Sequence, residues 1–139
     1  MSSQRLRYEG REGTAFLHWD DGKSNSVSSE TLGELNAALD RAEQEAATAI
    51  AIVGRPGVFC AGFDLKELGA GGDTMRALVR TGAELLVRLY RFPLPVVMGC
   101  SGHALGMGAL VLLSADVRFG SAGEHKIGAI LLQRSNQLG

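Results

Sequence analysis

The fold of this chain is decided by the stretch Val58-Phe59-Cys60-Ala61-Gly62-Phe63-Asp64-Leu65-Lys66-Glu67-Leu68. Apolar residues lead into a glycine-containing turn, and a charged helix start follows it. Such a turn leaves backbone N–H groups free at a helix N-terminus, where they can stabilise a developing oxyanion. A second glycine-bearing segment, Gly102-His103-Ala104-Leu105-Gly106-Met107-Gly108, lies further along and also opens an apolar, helix-like run.

Length and composition place the chain among ordinary globular proteins. It has 139 residues, of which 45% are hydrophobic and 21% charged, and its formal net charge is −1. These values fit one modest domain with its own core and imply no bulk attraction to nucleic acid or to a membrane. No apolar run reaches membrane-spanning length, and we expect no secretory signal. Two cysteines without metal-type spacing predict reduced thiols in a cytoplasmic protein.

Strand-like and helix-like segments alternate along the chain. Strands are predicted over residues 14–19, 49–53, 96–98 and 116–119, and helices after Ser28, after residues 69–72 with Asp73 as a candidate cap, and over 108–113. Helical spacing predicts two apolar faces, which comprise Leu32, Leu35, Ala38 and Leu39 in the first helix and Met75, Leu78, Val79, Leu85, Leu86 and Leu89 in the second. This alternation predicts an α/β domain with a largely parallel sheet.

Three motifs in order resemble the crotonase (enoyl-CoA hydratase/isomerase) superfamily. They lie at residues 59–68, 95–108 and 114–118, and residues 21–27 resemble the family's early Asn-Ala-Leu segment with Ser and Val in place of Ala and Leu. Either glycine motif alone would be a weak signal, but both in order identify the family. The resemblance implies a ClpP/crotonase-like α/β core of repeated ββα units, incomplete at the C-terminus. We expect residues 1–128 to form this core and residues 129–139 to be a tail that departs from the family pattern.

The resemblance also implies the residues of an acyl-CoA site. By motif position, the backbone N–H groups of Phe63 and Met107 would stabilise a thioester enolate. Substrate-binding positions would be Ser26, Val27, Ala61, Gly62, Asp64, Leu65, Gly106 and Gly108. Asp64 is also expected to cap the helix that follows it. The implied partner is an acyl-CoA or enoyl-CoA thioester, with no nucleic acid, no membrane, no metal and no cofactor, since CoA is part of the substrate.

The chain departs from the family pattern at one catalytic position. Family hydratases carry a Glu in the helix after the second glycine motif, and Leu110 occupies that position here. Because Leu cannot transfer a proton, isomerisation or another single-base reaction is as plausible for this chain as hydration. The alternative is a catalytically silent acyl-CoA-binding or oligomer-interaction protein.

The end of the sequence departs as well. Family members are longer, so the sequence allows a truncated product, a shifted reading frame or a missing internal segment. The family forms trimers or dimers of trimers, so a homotrimer or hexamer is expected if the C-terminal part is present.

Several reactive side chains have a structural interpretation that we favour over a catalytic one. His103 and Asp116 lie beside turns or element ends, and Cys60 has no legible Cys–His–acid arrangement, which predicts a small buried thiol. Lys66 and Glu67 are predicted to form a solvated helix face.

Overall fold

The computed structural model describes residues 4–128. The elements in chain order are β1 (Leu6–Arg11), β2 (Thr14–Trp19), β3 (Ser26–Val27), α1 (Ser29–Gln44), β4 (Ala49–Val53), β5 (Gly57–Cys60), β6 (Gly62–Phe63), α2 (Leu65–Gly69), α3 (Gly72–Tyr90), β7 (Val96–Cys100), β8 (Gly102–Leu105), α4 (Met107–Leu113), β9 (Val117–Gly120) and β10 (Ile127–Gly128). The expected tail, residues 129–139, lies outside the described residues, so the domain boundary at residue 128 stays a prediction.

The main sheet contains five strands in the order β1-β2-β4-β7-β9. Strands β2, β4, β7 and β9 run parallel, and the β1–β2 hairpin is antiparallel. The predictions of strands at 14–19 and 49–53 and of a largely parallel sheet are confirmed. Strand β4 reads as an apolar run because it lies between two parallel neighbours with most of its residues buried.

A second layer of short strands lies behind the main sheet. Strands β10, β8 and β5 form a three-stranded parallel sheet, and β3 pairs with β6. In chain order, β2, β4, β7 and β9 of the main sheet are each followed by a strand of this second layer. A helix follows after the first three of these pairs, which is the ββα repeat that the resemblance implied. Strand β8 was not predicted, because glycine weakens any strand pattern. A Cβ at Gly102 would lie 2.0 Å from the carbonyl carbon of Gly57, so only glycine allows β5 and β8 to approach this closely.

Helix α1 confirms the first predicted helical face. Ser28 is the N-cap, and its Oγ accepts a hydrogen bond from Thr31 N at 3.1 Å. The residues predicted to face the core are all buried, namely Leu32, Leu35, Ala38 and Leu39. They join a core that contains Trp19 and Phe59, whose rings meet edge to face with centroids 5.8 Å apart.

Helix α3 corrects two predictions. Its N-cap is Gly71 and not Asp73, because Gly71 adopts a positive φ of 65° and the helix starts two residues earlier than predicted. Asp73 instead lies in the first turn and forms an ion pair with Arg76. Of the predicted apolar face, the residues buried in the core are Leu78, Leu85 and Leu89, whereas Val79 is 44% exposed because it lies at the margin of that face.

Candidate functional site

The two glycine segments face one cavity of about 340 Å³. Eight of the ten residues expected at the site line it: Ser26, Ala61, Gly62, Phe63, Asp64, Leu65, Gly106 and Met107. Three further lining residues were not predicted: Ser24, Lys66 and Leu68. Lys66 was predicted to lie on a solvated helix face. Its position directly after Asp64 and Leu65, two predicted site residues, was a signal that it could also line the cavity.

Strand β6 controls the direction of the Phe63 N–H. Asp64 N donates a hydrogen bond to Val27 O at 2.9 Å, which ties this end of β6 to β3. Because successive peptide N–H groups point to opposite edges of a strand, the Phe63 N–H points away from β3. Strand β3 is the only strand that pairs with β6 among the described residues. The Phe63 N–H therefore faces an edge without a partner strand in this part of the chain.

Met107 is the first residue of α4. Gly106 is its N-cap, with φ 54° and ψ −120°, a conformation that excludes most residues with a Cβ. The N–H groups of Ala109 and Leu110 both donate to Gly106 O. A residue in the first helical position has no N–H acceptor in its own helix, so the Met107 N–H is free of the α4 hydrogen-bond ladder.

The chain segments that carry the two candidate donors are in contact. A Cβ on Gly62 would stand 3.0 Å from Leu105 O and 3.7 Å from Met107 N. The turn before Phe63 therefore contacts the start of α4 directly, and a positive φ of 111° at Gly62 shapes that turn. Two neighbouring N–H groups from separate loops can act together on one oxygen atom of a ligand in the cavity.

Asp64 joins the cavity wall to α2. It is the N-cap of that helix, as expected, and its Oδ2 accepts a hydrogen bond from Glu67 N at 2.9 Å. Glu67 was predicted to be a solvated residue, but its Oε1 accepts a hydrogen bond from Ser29 N at 2.8 Å. This bond ties the middle of α2 to the start of α1, so α2 is held by its N-cap Asp64 and by α1.

Asn25 is the residue that sequence reasoning missed. It is fully buried with a positive φ of 52°, and its Nδ2 donates to Trp19 O at 2.7 Å and to Phe59 O at 3.1 Å. Its Oδ1 accepts a hydrogen bond from Asp21 N. Asn25 therefore joins the ends of β2 and β5 to the segment that brings Ser24 and Ser26 to the cavity. A signal existed, since Asn commonly adopts this backbone conformation in turns.

Two expected site residues do not line the cavity. Val27 is fully buried beneath it, because its side chain belongs to the core. Gly108 packs against β5, and a Cβ there would stand 2.1 Å from Cys60 O. Leu110, at the position of the family Glu, is 49% exposed and is not among the cavity residues.

The remaining reactive side chains have structural roles, as predicted. Cys60 is fully buried, and burial raises the pKa of its thiol to about 12, so little thiolate forms at neutral pH. His103 Nδ1 accepts a hydrogen bond from Lys126 N at 2.9 Å. Asp116 accepts one from Val96 N at 2.8 Å, which fixes the start of β7.

The sequence matches one family along most of its length. The enoyl-CoA hydratase/isomerase family model matches residues 9–129. This chain belongs to the enoyl-CoA hydratase/isomerase family. A probable enoyl-CoA hydratase from Rhodobacter capsulatus is 40% identical over 84% of this chain and 46% of its own length. The human mitochondrial enoyl-CoA delta isomerase 1 is 34% identical over 85% of this chain and 41% of its own length.

Solved structures of the family share the fold. A crystal structure of an enoyl-CoA hydratase/isomerase family protein from Pseudomonas syringae superposes with a TM-score of 0.90 and 37% identity, covering 94% of this chain and 56% of that one. The Mycobacterium tuberculosis enoyl-CoA isomerase gives a TM-score of 0.80 with 39% identity, covering 84% of this chain and 51% of that one. The chain thus has the crotonase fold and spans about half the length of the relatives it matches. Within residues 4–128, no helix combines the length and apolar character needed to cross a membrane.

Proposed function

We propose that this protein acts on acyl-CoA thioesters and stabilises a thioester enolate with the N–H groups of Phe63 and Met107. The observation that carries the proposal is the contact between the Gly62 turn and the start of α4 beside the cavity. Removal of a proton next to a thioester carbonyl leaves negative charge on the carbonyl oxygen. Two fixed N–H donors stabilise that charge more than the neutral carbonyl, and each contributes roughly 2.7–4 kcal/mol to lowering the barrier.

The cavity lining offers both apolar and charged residues to an acyl-CoA substrate. Leu65, Leu68, Phe63 and Met107 are the large apolar residues of the lining, which suits an acyl chain. Lys66 and Asp64 are the charged residues of the lining. We assign substrate contacts to the lining residues predicted from the sequence and include Val27 and Gly108 as supports beneath them. The proposal needs no cofactor beyond the CoA of the substrate.

The reaction type depends on the proton-transfer group. Asp64 is the only carboxylate in the cavity lining of the described residues, and its Oδ2 already accepts the capping hydrogen bond from Glu67 N. Leu110 supplies no proton acceptor. Hydration therefore lacks one of its two carboxylates here, and we keep isomerisation or another single-base reaction beside it.

The second candidate is an acyl-CoA-binding protein without turnover. The observation that favours it is again Leu110, together with the engagement of Asp64 in capping. Such a protein would keep the oxyanion loops and bind acyl-CoA, alone or within an oligomer. For either candidate we propose a reducing, cytoplasmic setting, and the two buried free thiols support it. Assembly as a homotrimer or hexamer remains a prediction that light scattering would test.

A titration separates the proposal from its alternatives. We would compare the Kd of a 3-ketoacyl-CoA, which can bind as an enolate, with the Kd of the saturated acyl-CoA of equal chain length. An oxyanion hole predicts much tighter binding of the ketoacyl compound, since transition-state-like ligands gain about 10²-fold or more. Equal affinities would leave only acyl-CoA binding, and no binding of either would refute both candidates.

Turnover is then measured on the same sample. Intact mass confirms that the protein in the assay has 139 residues, and crotonyl-CoA hydration is followed spectrophotometrically. No hydration by a protein that discriminates the two thioesters supports a hole without the hydratase acid–base pair. Hydration by the 139-residue protein itself would contradict the role we give to the loss of the Glu at position 110.

A further inference from the structure

Gly82 lies in the middle of α3 and contacts both candidate donor residues. It is buried, and a Cβ at this position would stand 2.8 Å from Cε1 and 2.9 Å from Cζ of Phe63. The same Cβ would stand 3.2 Å from Cε of Met107. Gly82 is therefore a single point at which α3 contacts the side chains of a residue in β6 and a residue in α4.

The backbone of α3 does not itself require glycine at this position. Gly82 lies in a regular helix of 19 residues and has no positive φ, unlike Gly71 and Gly72 at the helix start. Glycine in a helix interior destabilises the helix relative to alanine, because the unfolded chain loses more conformational freedom. The structural reason for a glycine here is that the Phe63 ring and the Met107 methyl group occupy the space that a side chain would need.

We propose that Gly82 is a positioning residue for the oxyanion hole, because its missing side chain lets α3 seat the Phe63 ring and the Met107 methyl group together. This inference rests on the proposed function of the Phe63 and Met107 N–H groups. Each of these side chains is attached to the same Cα as the candidate N–H donor. Seating both on one helix fixes β6 and the start of α4 relative to each other, and hence the separation and direction of the two donors.

Alanine at position 82 tests this arrangement without a large loss of packing. The atoms that its Cβ would meet are the far ends of two side chains, which can move aside, so we expect the protein to fold. Phe63 is a residue of the cavity lining, and we expect part of the displacement of its ring to reach the backbone of β6 and change the direction of the Phe63 N–H. A displacement of about 1 Å at a catalytic group can cost up to about a hundredfold in stabilisation of the reacting charge.

The experiment measures discrimination and not affinity alone. For each variant, calorimetry gives the Kd of a 3-ketoacyl-CoA and of the saturated acyl-CoA of equal length, and the ratio of the two Kd values reports the hole. The variants are Gly82→Ala, Phe63→Leu and the double variant Gly82→Ala/Phe63→Leu. The control is Gly33→Ala in α1, where a Cβ would meet nothing within 4 Å.

We expect Gly82→Ala to reduce the preference for the ketoacyl compound by about tenfold or more. Gly33→Ala should bind both compounds as the wild type does. Phe63→Leu keeps the N–H and removes the two ring atoms nearest Gly82, so the double variant should regain much of the preference that Gly82→Ala loses. If Gly82 had a merely structural role, Gly82→Ala would weaken the binding of both compounds equally and leave the ratio of their Kd values unchanged.

Three results would overturn the inference. The first is a Gly82→Ala protein with the wild-type ratio, which would leave the proposed oxyanion hole intact and refute only the role of Gly82. The second is a double variant that folds but discriminates no better than Gly82→Ala. The third is a wild-type protein that binds both compounds equally, which would refute the oxyanion hole and this inference with it. Should Gly82→Ala fail to fold, the double variant decides, since relief of the contact must restore both folding and discrimination.

Discussion

Gly62 and Met107 are neighbours across two loops: a Cβ on Gly62 would lie 3.7 Å from the backbone N of Met107. The first loop follows β5, and the second joins β8 to α4, and these two strands pair in parallel in the second layer. The carboxyl ends of paired parallel strands lie at the same edge of a sheet, which is how residues distant in sequence come to share one cavity.

Substitution of Gly62 by alanine should destabilise the protein and weaken acyl-CoA binding. Its φ of 111° is a conformation that L-residues rarely adopt, and the new Cβ would also stand 3.0 Å from Leu105 O. We expect the free energy of unfolding to fall by about 1–2 kcal/mol from the backbone conformation, with a further loss from the contact. Urea denaturation measures the first quantity, and calorimetry with an acyl-CoA measures the second.

Gly22→Ala is the matched control for Gly62→Ala. Gly22 also has a positive φ, of 77°, but a Cβ there would meet nothing within 4 Å. It should show only the backbone cost of about 1–2 kcal/mol and bind acyl-CoA normally. If both variants lost the same stability and both kept normal binding, the contact between Gly62 and the start of α4 would have no role in the site.

Substitution of Gly108 by alanine should be among the most destabilising single changes in this chain. A Cβ there would stand 2.1 Å from Cys60 O and 2.9 Å from Cys60 Cβ, so α4 must move away from β5. Overpacking of this kind costs about 3 kcal/mol, at the upper end of the usual range. The thermal midpoint measured by circular dichroism should fall accordingly. A Gly108→Ala variant as stable as the wild type would show that α4 does not pack against β5 in this way.

Much of the fold could be predicted because the signal was local. Residues 49–53 form an apolar, partly β-branched run, which indicates a buried parallel strand from sequence alone. Ser28 was legible as an N-cap for the same reason, since capping involves residues only three positions apart. Strand β1 gave no such signal, because its charged and glycine-containing sequence pairs at an edge of the sheet, where alternation is weak.

The site was less predictable, because its contacts join residues that are distant in sequence. Motif order placed Phe63 and Met107 beside one cavity, but no periodicity could show that Gly82 contacts both. The sequence predicted a solvated Glu67, because its contact with Ser29 joins residues that are distant in sequence. Asn25 carries a turn signal in the sequence, but its hydrogen bond to Phe59 O depends on the tertiary fold.

Substitution of Asn25 by aspartate should strongly destabilise the protein. The change replaces the Nδ2 donor to Trp19 O and Phe59 O with a carboxylate oxygen that faces two carbonyl oxygens in a fully buried site. Each unsatisfied buried group costs about 1–3 kcal/mol, and a buried charge adds to that cost. Asn25→Gly is the matched variant, since glycine adopts the φ of 52° and removes the side chain with its hydrogen bonds without burying a charge. Equal unfolding free energies for Asn25→Asp and the wild type would contradict this role.

Replacement of Cys60 by alanine should reduce the loss of stability at alkaline pH. Burial raises the pKa of the Cys60 thiol to about 12, so the folded protein holds this proton at a pH where the unfolded chain has released it. The resulting contribution to stability is fully present below the ordinary thiol pKa and is lost as pH rises from there towards 12. The wild type should therefore lose stability more steeply than Cys60→Ala over this window, by up to about 1.4 kcal/mol per pH unit.

Urea denaturation of both proteins between neutral pH and pH 11 measures this difference, and the comparison cancels the titration of groups common to both. Native-state alkylation gives an independent reading, since a buried thiol with a raised pKa should react with iodoacetamide only after the protein is unfolded. Parallel stability curves for the two proteins, or rapid labelling of Cys60 in the native state, would place this thiol at an accessible surface. Cys60 would then have to be reconsidered as a reactive group directly beside the cavity.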